Sequence, residues 1–155
     1  MSRRWTLPIA VCSAVLAVVL CVAAVMWRTP AAAQTRSADE LSAQAGGIVA
    51  TVFSASRPTW KADRARARSL TADPFATSSS KALSDGPPDG VQEVRWTPTD
   101  VGVVDAQPES GEVLVVVRAT VTPMSGAASS QVKSVQARFV RDDGRWLLSG
   151  LDELR

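Results

Sequence analysis

The side chains that most often carry acid–base, nucleophilic or metal chemistry are nearly missing from this sequence. It contains no histidine and no tyrosine, and its two cysteines, Cys12 and Cys21, both lie inside an uncharged apolar run from Leu7 to Met26. Beyond that run, imidazole catalysis, thiol nucleophiles and His/Cys zinc sites are excluded by composition. No disulfide can staple that part of the chain either, so its stability must come from a packed core. Carboxylates, hydroxyls and cations remain. Asp142-Asp143 precedes Gly144 in a turn signature, where aspartate is an ordinary solvated occupant, and Asp152-Glu153 stands close to Arg155. No glycine-rich phosphate loop is present. The sequence therefore predicts no catalytic residue, no cofactor and no metal site, and a protein that is not an enzyme.

One charge pattern stands out. Arg57, Lys61, Arg64, Arg66 and Arg68 gather around Trp60, and together these six form the candidate contact surface for an acidic partner or for anionic lipid headgroups. The plainer account is a solvated helix face. At about 100° per residue, each step from Arg64 to Arg66 to Arg68 turns about 200°, which scatters the charges round the helix. Trp60, Trp96 and Trp146 are expected to pack in the core or at its rim.

The elements that must carry these residues fall into two unlike parts. The 20 residues from Leu7 to Met26 carry no charge. At about 1.5 Å per residue they reach roughly 30 Å, the thickness of the bilayer hydrocarbon. Arg3 and Arg4 precede this run and Arg28 alone closely follows it, so the positive-inside rule places the N-terminus in the cytoplasm. The expected order is a cytoplasmic tail (1–6), a transmembrane helix (7–27), a Pro/Ala-rich linker (28–36) and an extracytoplasmic domain (37–155). The alternative is a signal peptide cleaved near Ala33, because Ala31-Ala32-Ala33 offers a small-residue site.

About 120 residues after the linker suffice for one modest core. Four of the 17 basic residues (Arg3, Arg4, Arg28 and Arg36) precede residue 37, which leaves 13 basic against all 15 acidic residues. A slightly acidic domain does not predict nucleic-acid binding. Ser37-Ala38-Asp39-Glu40 has the form of a capping box, and Leu41, Ala45, Ile48, Val49, Val52 and Phe53 follow at helical spacing. Gly46-Gly47 within that helix marks a close contact or a bend. A second helix is expected from Trp60 to Leu70, and a third from about Pro74 to Leu83, with Asp73-Pro74 at its start.

After the loop from Ser84 to Gly90 the period changes to alternation. Four strands are expected: Val91 to Asp105, bent by Pro98 at a sheet edge; Glu112 to Thr122; Gln131 to Arg141; and Arg145 to Leu151. Asp142-Asp143-Gly144 joins the last two as a hairpin. Helices first and an antiparallel meander second predict an α+β domain whose helices cover one face of a curved sheet.

The order anchor, spacer, helices and four strands, ending in Phe139-Val140-Arg141-Asp142-Asp143-Gly144-Arg145-Trp146-Leu147-Leu148, resembles the Mce-associated membrane proteins. These are small partners of lipid-import systems in high-GC Gram-positive bacteria. The hairpin is also similar to those of the wider nuclear-transport-factor-2-like (SnoaL-like) superfamily. The resemblance implies a cone-shaped α+β fold of about three helices on a curved four-stranded sheet. It also implies a non-catalytic accessory role in an envelope transport complex, with protein partners handling the lipid. A structural subunit of a secretion or conjugation system shares the same plan, and a small-ligand or lipid-binding cone is a third reading.

Overall fold

The structure, a computed structural model, describes residues 32–154. The expected tail and transmembrane helix (1–27) lie outside them. Among the described residues no helix is long and apolar enough to cross a membrane.

The first helix, α1, spans residues 32–53. Ser37, Leu41, Ala45, Ile48, Val49 and Val52 recur every three or four residues along it, and all are buried. The capping-box reading of Ser37 is corrected: residue 32 is already helical, so Ser37 lies inside the helix and residues 32–36, expected in the linker, belong to it. Gly46 does mark a close approach, since a Cβ there would sit 3.1 Å from both Pro98 and Val101 side chains. Gly47 faces open space.

The chain leaves α1 through a strand that alternation could not reveal, the two-residue β1 (Ala55–Ser56). Pro58 then prevents the backbone from returning directly to helix. Helix α2 follows (Trp60–Arg68), burying only Ala67, and then a single turn, α3 (Phe75–Ser78). The expected third helix is thus much shorter, and separate turns carry the chain on to Ser84. Asp73 and Pro74 were expected as cap and first helical residue; Pro74 itself is the N-cap, and Asp73, one residue earlier, instead accepts hydrogen bonds from Thr77 N at 3.1 Å and Thr77 Oγ1 at 2.6 Å.

Four long strands complete the fold: β2 (Val91–Ala106), β3 (Ser110–Pro123), β4 (Ser129–Asp142) and β5 (Arg145–Leu154). They form one curled antiparallel sheet in the order β1-β2-β3-β4-β5, five strands where four were expected. Val113, Val115 and Val117 of β3 alternate inward with Val135, Ala137 and Phe139 of β4, all essentially inaccessible. Asp143 and Gly144 both have positive φ (46° and 75°), so the two-residue hairpin is of the primed type that suits the sheet's twist.

The β5 register shifts opposite Arg138 and Phe139: Leu148 faces Phe139 while Gly150 faces Arg138, leaving Ser149 as the extra residue. Trp146 and Leu148 therefore enter the main core, and Leu147 is buried on the opposite face of the strand. The outer edge of β5 is partly covered, because Leu148 pairs in parallel with Thr71 and exchanges backbone hydrogen bonds with Leu70 and Ala72 at 2.9 Å.

Candidate functional site

The basic segment divides into two groups once its hydrogen bonds are followed. Arg57 donates from Nε to Val91 O at 3.0 Å and from Nη2 to Pro88 O at 2.8 Å. Arg64 donates from Nε to Asp85 O at 3.1 Å and from Nη1 to Val52 O at 3.2 Å. Arg68 Nη1 donates to Leu83 O at 2.8 Å. These three guanidiniums thus donate to carbonyls between Leu83 and Val91, a stretch that for the most part lies outside the sheet's ladder of donors. Burial pulls the Arg64 pKa below its ordinary value, an effect opposed by the nearby charges of Asp63 and Asp85.

The other group faces outward. Lys61 is exposed, its ammonium 5.7 Å from the ring of Trp60. That half-buried ring lies against Gly86, where a Cβ would come within 3.4 Å of it. Arg66 extends into solvent, with Asp63 as an ion-pair partner at 3.9 Å. Of the six candidate residues, Arg66 is the one that lines an open groove of about 450 Å³.

Four elements build this groove. The last turn of α1 brings Ala50 and Thr51 to it, with Ser54 just beyond the helix; α2 brings Asp63 and Arg66, and the first half of β2 brings Glu93 through Pro98 without Val94. β1 joins the walls, pairing Ala55 with Val94 and Ser56 with Glu93. Asp63 fixes the corner, since its Oδ2 accepts from Ser56 N at 3.1 Å and from Thr59 Oγ1 at 2.8 Å. Ser54 Oγ accepts from Trp96 N at 2.9 Å. The Trp96 ring stacks on Phe53, with centroids 4.5 Å apart and planes 20° from parallel, and Phe53 packs in turn against the core.

The sequence placed Arg66 in the basic segment and Pro98 at a bend of the first long strand, and the fold brings the two to one groove. It offered no reason to single out Asp63, Glu93 or Arg95. The Glu93-x-Arg95 spacing was the available signal, because residues two apart share a strand face. Arg95 donates to Glu93 Oε1 from Nε at 3.1 Å and from Nη2 at 2.6 Å.

Strand addition along β2 is the less suitable mode of contact. Pro98 lacks an N–H, and the β2 register shifts between Val91 and Glu93, Pro98 and Asp100, and Val103 and Asp105. A proline and repeated bulges blunt an edge against a further strand.

Elsewhere, Arg141 lies over the Trp146 ring at 4.5 Å and pairs with Glu40 of α1, tying the β4–β5 hairpin to that helix. Among the described residues no group of three or more His, Cys, Asp or Glu side chains is placed to hold a metal ion. The groove supplies guanidiniums, carboxylates, hydroxyls and one aromatic face, which is the chemistry of a contact surface. No family model matches this chain, and neither a curated protein nor a solved structure matches it significantly.

Proposed function

We propose that this chain is a non-catalytic, membrane-tethered accessory protein whose extracytoplasmic α+β domain docks a protein partner of an envelope transport assembly. The observation that carries the reading is the convergence of two segments distant in sequence, α2 with Arg66 and β2 with Arg95 to Pro98, around one open groove. Aromatic and arginine side chains at the mouth of a depression are the residues that most often dominate association energetics. The filled inner face of the sheet, with Val115, Val135 and Phe139 at 0–1% exposure, favours surface docking over an internal ligand chamber. The resemblance of the hairpin sequence to the Mce-associated proteins supports a lipid-import context, and the uncharged run from Leu7 to Met26 supports the tether.

The test uses the full chain in its own membrane. A reporter fused after Arg155 is expected to be active outside the cytoplasm; activity inside would overturn the topology. A photoreactive residue at Thr97, in the groove, is expected to join the chain to one envelope protein, whereas the same residue at Lys81 does not. Equal adducts from both positions, or none from Thr97, would contradict docking at the groove. A lipid-import subunit in the adduct supports the Mce context, and a secretion-machine subunit replaces it.

A further inference from the structure

We propose that the groove recognises an acidic segment of its protein partner, with Arg66 and Arg95 as the recognising side chains. The proposal rests on the docking reading and adds the partner's chemistry. Two ion pairs flank the groove, and both are oriented alike. Arg66 and Arg95 have side chains 65% and 64% exposed, while their partners Asp63 and Glu93 are 20% and 30% exposed. The carboxylates form the inner layer and the guanidiniums the outer one.

Asp63 is further occupied by Ser56 N and Thr59 Oγ1, so little of its accepting capacity faces an incoming ligand. Arg95 holds Glu93 through Nε and Nη2, which leaves its Nη1 side outside that pair. The Arg66 pair is long, at 3.9 Å. The outermost charged groups of the groove are therefore two guanidiniums from two different elements, beside the face of Trp96. Guanidiniums match carboxylates in geometry and form charge-assisted bonds of about twice the ordinary strength. The slightly acidic domain does not prevent this, since charges beyond a screening length of about 8 Å contribute little at physiological salt.

The position of the groove favours a protein over lipid headgroups. Near its start, α1 contacts the β2–β3 turn, with Gln34 Nε2 donating to Gln107 Oε1 at 3.0 Å. The groove forms at the other end of α1, around Ala50 to Ser54. About 16 helical residues at 1.5 Å each separate the two, roughly 24 Å or three screening lengths. The apolar run precedes α1 in the sequence, and the groove forms at the end of α1 that is farther along the chain from it.

The test places the full chain in nanodiscs of neutral phosphatidylcholine and follows fluorescence anisotropy of a labelled peptide alternating glutamate and valine, with a glutamine-for-glutamate peptide as control. The glutamate peptide is expected to bind more tightly, to weaken as salt rises, and to lose about tenfold or more in affinity in the Arg66→Gln, Arg95→Gln variant with melting unchanged. Equal binding of the two peptides, or equal binding by the variant, would overturn the proposal. So would phosphatidylglycerol in the nanodisc competing the peptide away through Arg66 and Arg95, which would assign the groove to headgroups. Adducts at Thr97 without preference for the acidic peptide would leave the docking reading standing and remove only the acidic partner.

Discussion

The sheet with α1, and the segment between residues 57 and 90, sit side by side but are held by different forces. In the first, Val, Ala, Phe, Trp and Leu side chains interlock, and β3 and β4 each contribute at least three inaccessible residues. In the second, Ala67 and Leu83 are the apolar side chains that become fully buried, and the turns are held through Arg57, Arg64 and Arg68. A core residue gains from every neighbour that excludes water, whereas a staple gains only from the one or two carbonyls it meets. The groove occupies the junction, where rigid β2 and α1 meet the stapled α2.

The sharpest way to break this comparison is at Trp146, which is 1% exposed within the packed region. Trp146→Ala is expected to cost about 3–5 kcal/mol in urea unfolding, a large part of a small domain's stability. A loss no larger than that of a surface substitution would mean that the core does not depend on it.

A smaller effect is expected from the staples. Arg64→Ala and Arg68→Ala are each expected to cost about 1–3 kcal/mol, because each leaves backbone carbonyls without a charged donor. Hydrogen exchange locates the loss: amides from Leu83 to Val91 should exchange faster while those of β3 and β4 stay protected. Equal loss of protection in the sheet would show the two regions to be one cooperative unit.

The smallest effect distinguishes two neighbouring glycines. Gly47→Ala is expected to raise stability by up to about 1 kcal/mol, since nothing lies within 4 Å of the new methyl group. At Gly46 the same gain is offset by a contact 3.1 Å from Pro98 and Val101. Equal thermal stabilisation by both substitutions would mean that α1 does not press on β2 there.

The two regions also differ in how far the sequence announces them. Alternation located β3 within one or two residues at each end, and Asp143-Gly144 located the last hairpin, because packing and turn chemistry there act over a few neighbouring positions. The α1 stripe was legible from Leu41 to Val52, but its start was not, because alanine-rich residues 32–36 extend a helix without apolar periodicity. β1 was invisible because two residues cannot display a period. The arginines of α2 were legible as charges only. Whether such a side chain turns to a carbonyl or to solvent depends on where the turns from Leu83 to Val91 lie, and local spacing carries no record of that. Arg66 lines the groove because β2 returns beside α2, which is likewise a property of the fold.

The most direct test of the account sets the two kinds of arginine against each other in one experiment. Melting temperature and cross-linking yield from Thr97 are measured for the full chain, for Arg64→Ala with Arg68→Ala, and for Arg66→Gln with Arg95→Gln. The second pair is exposed, so its stability should stay within about 0.5 kcal/mol of the parent while its adduct is lost. The first pair should melt earlier. An unchanged adduct in the Arg66 and Arg95 variant, or a melting loss there as large as in the Arg64 and Arg68 variant, would contradict the division of these side chains into staples and contacts.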